Sequence, residues 1–197
     1  MDQVRVIRRL VSVLLICVVA SSASVPPSAA DTMARFCFLD AQGARTDSRL
    51  PASKKIDDLN LWEAEPGWDT VTVISSYRIK TFHQSSKKAE VVVEYKTEGT
   101  WAITEWEDLN KTEVVHFELE YSGQHWSFPA NAEPVLVKAR PQWRIIEPVL
   151  QPHVSVTWAL ARMKRQIERE KDQQDKDKEL KILHRLETIA KSHPARL

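Results

Sequence analysis

Apolar and polar residues alternate along the middle of the chain, from residue 68 to residue 149. A period of two is typical of a β-strand with one buried face, because successive side chains point to opposite faces of the sheet. The apolar positions of the clearest runs are Val71, Val73, Tyr77 and Ile79, then Val91, Val93 and Tyr95, and then Val115, Phe117, Leu119 and Tyr121. We therefore predict an antiparallel sheet of about four to six strands in this region.

Turn residues divide this region into strands. Gln84-Ser85-Ser86-Lys87 is predicted to join the first two strands, and Asp108-Leu109-Asn110-Lys111 is predicted to join the third and the fourth. The proline-containing segment 122–142 is predicted to be an excursion from the sheet, with a short edge strand at Val135-Leu136-Val137. This excursion is the element most specific to this chain.

Helices are predicted on both sides of the sheet region. Ser53 can cap a short helix over Lys54–Trp62. A second helix is predicted to begin near Ser155, because apolar residues follow it at helical spacing. These residues are Val156, Leu160, Met163 and Ile167.

The C-terminal stretch is dominated by charged residues. No aliphatic or aromatic residue occurs from Glu168 to Glu179, so a helix there has no apolar side chain to bury. A stripe of apolar residues then resumes at Leu180, Leu183, Leu186 and Ile189. We expect the residues after Ile167 to contribute little to folding, and the alternative is that the apolar stripe contacts a partner.

The N-terminus has the pattern of an export signal. Arg5, Arg8 and Arg9 precede an uncharged, mostly apolar run, Leu10–Ala20, which is shorter than the roughly 20 residues that a membrane-spanning helix needs. Small residues follow, and three triplets fit a signal-peptidase site: Ala20-Ser21-Ser22, Ser22-Ala23-Ser24 and Ser28-Ala29-Ala30. We predict a periplasmic or extracellular protein, with no stable membrane insertion once the signal has been removed.

Composition narrows the classes of function. Cys37 is the only cysteine that remains after removal of the signal, so we expect no intramolecular disulfide in the mature chain. The 28 basic and 27 acidic residues nearly cancel, which argues against a nucleic-acid-binding protein. With 4 glycines and no histidine pair at metal-ligand spacing, we expect no phosphate-binding loop, no metal and no cofactor.

Five short stretches of the chain carry a resemblance to a known family: Phe36–Asp40, Glu65–Asp69, Val91–Tyr95, Trp143–Ile145 and Pro152–Ser155. They resemble exported bacterial proteins of the nuclear-transport-factor-two-like superfamily, whose members have a cystatin-like cone. The resemblance covers roughly residues 31–161, and it implies a curved antiparallel sheet that wraps an N-terminal helix and leaves a pocket in its concave face.

Pattern and resemblance together predict an α+β fold, in which a curved antiparallel sheet packs on a short N-terminal helix and a long charged helix follows at the C-terminus. Residues 1–30 are assigned to the signal peptide and residues 31–161 to the cone-like domain. Residues 162–197 are assigned to the charged helical tail.

Enzymes of this superfamily place an aspartate, tyrosine or histidine inside the pocket. On the apolar strand faces of this chain we find tyrosines but no Asp or His, whereas the acids Glu94, Glu118 and Glu120 fall on the polar faces. We therefore predict no catalytic residue, and a pocket lined by Tyr77, Tyr95, Phe117 and Trp143.

The predicted function is an exported, non-catalytic binding module with an apolar concave pocket for a small apolar ligand or a protein partner. Two alternatives stay open. One is an envelope assembly protein that uses its C-terminal helix, with a dimer as one form of assembly. The other is an isomerase-like or hydrolase-like cone enzyme whose site the sequence does not reveal.

Overall fold

The computed structural model of the protein describes residues 27–47, 49, 51–62, 67–127 and 133–193. Most of the predicted signal peptide, up to residue 26, lies outside the described residues. Glu65 and Pro66, which carry part of the resemblance, lie outside them as well.

The described chain forms five strands and four helices. In chain order they are α1 (Ala29–Ala41), α2 (Pro51–Asp57), β1 (Val71–Gln84), β2 (Lys88–Ala102), β3 (Glu105–Ser127), β4 (Val135–Glu147), β5 (His153–Ser155), α3 (Val156–Ile167) and α4 (Gln173–Ser192). The strands form one curled sheet in the order β4-β3-β2-β1-β5. The predicted α+β class is confirmed, although the sheet is mixed because the short strand β5 runs parallel to β1.

One of the two predicted turns is confirmed. Strand β1 ends at Gln84 and β2 begins at Lys88, and the backbone N–H of Ser85 donates to the carbonyl of Lys88 at 2.8 Å. The turn predicted at Asp108–Lys111 is wrong, because β3 runs through it. There Leu109 and Asn110 face the single residue Glu98 of β2, so the polar stretch forms a bulge and not a turn.

The N-terminal helical region differs from its prediction. The predicted helix over Lys54–Trp62 is wrong in extent, because α2 ends at Asp57 and Ser53 lies inside it. The larger helix, α1, lies upstream of it. Helix α1 contacts both edge strands, β4 and β5, as well as β1 and β2, so it lies inside the curl of the sheet.

The apolar face of α1 and the inner face of the sheet form one core, here called the concave core. Its main members are Met33, Phe36 and Cys37 of α1 with Val91, Val93, Tyr95, Phe117, Leu119 and Ile145 of the sheet. Each of these side chains is almost completely removed from water. The concave core therefore fixes α1 against the strands.

Helices α3 and α4 pack on each other and on the other end of the sheet. They form a second core, whose members include Val73, Trp101, Val154, Met163, Ile182, Leu186 and Ile189. The expectation that residues after Ile167 contribute little to folding is therefore wrong. Leu186 and Ile189 are buried as the stripe implies, but Leu180 is 45 % exposed and Ile182 takes a buried place that the stripe did not include.

Candidate functional site

The structure places the four predicted pocket residues under α1. Tyr95, Phe117 and Trp143 are buried in the concave core, and Tyr77 lies half-buried at its margin. The ring centroids of Tyr77 and Tyr95 are 6.5 Å apart, and that of Phe117 lies 6.1 Å from the ring of Phe36 on α1. In this structure the four side chains therefore make core contacts, since α1 occupies the concave face.

A polar cluster lies within this core. The Cys37 Sγ and the Tyr95 hydroxyl are 3.3 Å apart, and the Tyr95 ring stacks on the His153 ring with their centroids 4.3 Å apart. The Nε2 of His153 lies 3.6 Å from a carboxylate oxygen of Glu113. Helix α1 and strands β2, β3 and β5 each contribute one member of this cluster.

Two members of the cluster correct the expectation that the apolar faces carry no acid and no histidine. Glu113 is the register partner of Tyr95 and shares its face. Its position could have been found by extending the alternation one step before Val115. His153 reaches the cluster because β5 joins the sheet beside β1, and nothing in the local pattern of the sequence signals that pairing.

A buried ion pair adjoins the cluster. The Asp40 carboxylate lies 3.3 Å from the Arg45 guanidinium and also accepts the backbone N–H of His153 at 3.0 Å. The guanidinium lies over the ring of Trp62, 4.8 Å from its centroid, and donates to the carbonyl of Leu150. This network ties the end of α1 to the segment that leads into β5.

Two members of the cluster, Cys37 and Tyr95, are held in their neutral forms. Burial raises the pKa of the Cys37 thiol from its ordinary 9.0 to about 12, and it raises the pKa of Tyr95 well above its ordinary value. Both groups are therefore protonated at neutral pH, so Cys37 is not a thiolate nucleophile there. The neighbouring His153 ring, whose Nε2 lies 3.6 Å from the carboxylate, lowers the pKa of Glu113.

Two surface grooves lie away from the four predicted pocket residues. One, of about 190 Å³, lies at the end of α3 and the residues that follow it, and is lined by Arg162, Arg165, Gln166, Arg169 and Glu170. The other, of about 420 Å³, lies near the β1–β2 turn, and its lining includes His83, Lys88, Glu90, Glu118 and Ile146. Across the described ranges, no three His, Cys, Asp or Glu side chains are grouped so that they could hold a metal ion.

Strands β3 and β4 extend past the rest of the sheet as a two-stranded arm, here defined as residues 122–127 and 135–142. Strand β2 pairs with β3 only as far as Glu120, which faces Lys88. Beyond that point β3 pairs with β4 alone. The predicted excursion is thus a hairpin extension, and the edge strand predicted at Val135-Leu136-Val137 is confirmed as part of β4.

Apolar side chains of the arm are open to solvent. Val135 is 48 % exposed and Leu136 is 44 % exposed, and Trp126, the register partner of Leu136, is half-buried. No further strand of the described chain pairs with residues 122–127 or 135–142. The arm therefore has strand edges that no further strand of the described chain covers, together with exposed aliphatic side chains.

A register shift, here called the bend, separates the arm from the body of the sheet. Ser122 faces Gln142, but the next pair is Gln124 with Lys138, so three residues of β4 lie opposite one residue of β3. Arg144 is buried at this bend, where it donates from Nη1 to the carbonyl of Ser122 at 2.6 Å and from Nη2 to that of Arg140 at 3.4 Å. A single side chain thus satisfies carbonyls on both strands where the ladder is interrupted.

Comparisons with known proteins found no similar protein. No protein-family model matches this chain, and neither a curated protein nor a solved structure matches it. None of the helices that the structure describes is long and apolar enough to span a bilayer.

Proposed function

We propose that this protein is an exported, non-catalytic binding module that recognises a protein partner through its β3–β4 arm. The observation that carries the proposal is the exposed Val135–Leu136 pair on a two-stranded extension that no third strand of the described chain covers. Export is supported by the basic, apolar and small-residue order of the first thirty residues.

The physical argument rests on the marginal stability of a lone hairpin. Two strands without a third strand or a covering helix are at best marginally stable in water. A partner that adds a strand to the free edge of the arm would pair its backbone groups and cover its aliphatic side chains. Because exposed charges of both signs flank the pair, Glu133 before it and Lys138 and Arg140 after it, we expect the partner surface to be aliphatic with mixed charges at its border.

The two other binding modes have less support. A small ligand in the concave face would have to displace α1, whose Met33 and Phe36 are completely buried there. Assembly through the C-terminal helix would need a free apolar face, but Ile182, Leu186 and Ile189 are already buried against the body of the molecule. The nuclear-transport-factor-two-like resemblance stays a prediction, because a generic α+β fold does not bear on it.

Site-specific photo-crosslinking in an exporting cell tests the proposal. A photoreactive phenylalanine analogue is placed at Leu136, and the control carries it at Val114, which is 53 % exposed on the body of β3. We expect a discrete protein adduct from position 136 and none from position 114. An adduct of twice the chain mass identifies the partner as a second copy.

The adduct then needs a quantitative test with purified proteins. Leu136→Asp should weaken binding of the crosslinked partner at least about tenfold, since each 1.4 kcal/mol of lost contact changes affinity by that factor. Val114→Asp should leave the affinity within about twofold. Equal adducts at both positions, or no adduct at Leu136, would contradict the proposal.

A further inference from the structure

Three arginines surround the groove at the end of α3. Arg162 and Arg165 belong to the last turns of the helix, and Arg169 lies in the turn that follows it. All three residues are exposed, and Gln166 and Glu170 complete the lining of this groove of about 190 Å³, here called the arginine groove. Because the arginines are three and four positions apart, they lie along one face of the helix and its end.

None of these three guanidinium groups forms an ion pair with an acid among the described residues. On the same helix, by contrast, the Nζ of Lys164 lies 3.9 Å from a carboxylate oxygen of Glu187. The arginine groove therefore brings together three positive charges that no described carboxylate balances at contact distance, although the whole chain is nearly neutral.

The acids that lie closest to the groove along the chain are engaged elsewhere. The Oε1 of Glu170 accepts the backbone N–H groups of Lys171 at 2.7 Å and of Asp172 at 2.8 Å, so it is bonded to its own loop. Glu179 is completely buried and accepts a hydrogen bond from Gln166 at 2.6 Å. That bond also holds Gln166 in place on the wall of the groove.

A further acid, Asp47, pairs with Arg49, whose Nε and Nη2 each donate to its carboxylate at 2.9 Å. These bonds lower the pKa of Asp47 to about 2, with a smaller contribution from the charge of Arg162. Glu168 is exposed at the end of α3, and the carbonyl end of a helix adds about half a negative charge. Together these two charges offset only part of the three positive charges.

The arginine groove has the size and the hydrogen-bond donors to take a phosphate group. Guanidinium groups match phosphate oxygens with two parallel, charge-assisted hydrogen bonds. The volume of about 190 Å³ has room for about six water molecules at roughly 30 Å³ each, which is enough for a phosphate group. We propose that the arginine groove binds a phosphate group, to whose oxygens Arg162, Arg165 and Arg169 donate. The groove is built on a different element from the β3–β4 arm, and this proposal does not depend on the proposed function.

A soluble phosphate compound and the headgroup of an anionic phospholipid present the same chemistry to the groove. Two probes separate these sources. One is inorganic phosphate, and the other is vesicles of phosphatidylglycerol in phosphatidylcholine.

An NMR titration of the purified, isotope-labelled protein tests the site. The signals of the arginine Nε–H groups are followed while sodium phosphate replaces sodium chloride at constant pH and ionic strength, and we expect a saturable shift. Arg165→Gln and Arg169→Gln should each weaken binding about twofold to fivefold, the usual effect of losing one exposed ion pair. Arg140→Gln removes the same charge from the arm and should leave the dissociation constant unchanged. Thermal midpoints equal to that of the wild-type protein show that the variants keep the fold.

Cosedimentation with the vesicles then identifies the source of the phosphate. Binding to the vesicles that is weaker in Arg165→Gln, and unchanged in Arg140→Gln, identifies a lipid headgroup. Binding of inorganic phosphate without binding to vesicles identifies a soluble compound. The proposal is overturned if neither probe binds, if chloride shifts the same signals equally, or if Arg140→Gln weakens binding as much as Arg165→Gln.

Discussion

The Nη1 of Arg144 donates to the carbonyl oxygen of Ser122 at 2.6 Å, across the two strands where the arm leaves the sheet. This guanidinium is 2 % exposed, so its carbonyl acceptors have no ready replacement by water if it is removed. We expect Arg144→Gln to lower the free energy of unfolding by about 2–3 kcal/mol, the usual cost of losing a buried hydrogen bond to a charged group. Urea denaturation measures this loss.

Arg140→Gln is the matched control for Arg144→Gln. The backbone carbonyl of Arg140 takes part in the bend, but its side chain is exposed. This variant should change the free energy of unfolding by less than about 0.5 kcal/mol. Equal losses of unfolding free energy in the two variants would contradict this prediction. They would mean that any positive charge near the bend stabilises the arm, and not the hydrogen bonds of Arg144.

Asp40 is the second residue whose replacement we expect to lower the free energy of unfolding strongly. Replacing it by Asn removes the negative charge that lies 3.3 Å from the buried Arg45 guanidinium, and it weakens the acceptor of the His153 backbone N–H. We expect a loss of about 3–5 kcal/mol, as for other broken buried pairs. Asp47→Asn, which breaks the surface pair with Arg49, should leave the denaturation midpoint within experimental error.

The packing of α4 can be tested with two leucines of the same helix. Leu186 is completely buried in the second core, whereas Leu180 is 45 % exposed. Leu186→Ala should cost about 2–5 kcal/mol, and Leu180→Ala should cost less than about 0.5 kcal/mol. Thermal unfolding of both variants decides the matter, and a small effect of Leu186→Ala would show that α4 is not docked in solution.

The raised pKa of Cys37 predicts a loss of stability in alkali. Below pH 9 the thiol is protonated in both the folded and the unfolded chain, so its full contribution is present. Between pH 9 and about pH 12 the unfolded chain releases this proton while the folded chain keeps it, so the free energy of unfolding falls as the pH rises. Tyr95, whose pKa is also raised, adds to the fall at higher pH.

Urea titrations at pH 8 and pH 10 check this prediction. In Cys37→Ala the fall of stability between the two pH values should be smaller than in the wild-type chain, while the contribution of Tyr95 remains. The same fall in both proteins would show that the thiol does not titrate with unfolding in this range.

The sequence predicts the local strand faces well only where the strands are regular. Alternation over Val91–Tyr95 and Val115–Leu119 correctly assigns the buried side chains of β2 and β3. It fails in β1, where register shifts follow Val73 and Ile74, so Val73 faces the second core and Tyr77 the concave core. A bulge changes the parity of every residue after it, and composition alone does not reveal it.

The predictions of turns and of the helix α4 also fail where the type of residue does not match its place in the fold. The sequence gives no sign of the β2–β3 turn, because Ile103, with a φ of 41°, is an apolar residue without the usual turn chemistry. Asn110, with a φ of 40°, has that chemistry but lies in a bulge inside β3. The apolar stripe differs from the buried face of α4, because that face begins with the charged residue Glu179 and continues at Ile182. Glu179 is buried and accepts a hydrogen bond from Gln166 at 2.6 Å.

The candidate site depends even more on tertiary context. Strand pairing brings His153 onto Tyr95 and places Arg144 beside the carbonyl of Ser122, and neither contact has a signature in the local sequence. The exposed apolar residues of the arm could be read from the sequence as an edge strand, but their lack of a covering strand becomes apparent only in the folded sheet.

Val73 and Ile74 are neighbours in β1, both completely buried, yet they face different cores. The same stretch of backbone therefore separates the two cores and contributes a side chain to each. Neither core can lose its packing without disturbing the strand that the other core needs. Heating should melt the molecule in one cooperative step, with tryptophan fluorescence from Trp101 on one side and Trp143 on the other changing at the same temperature.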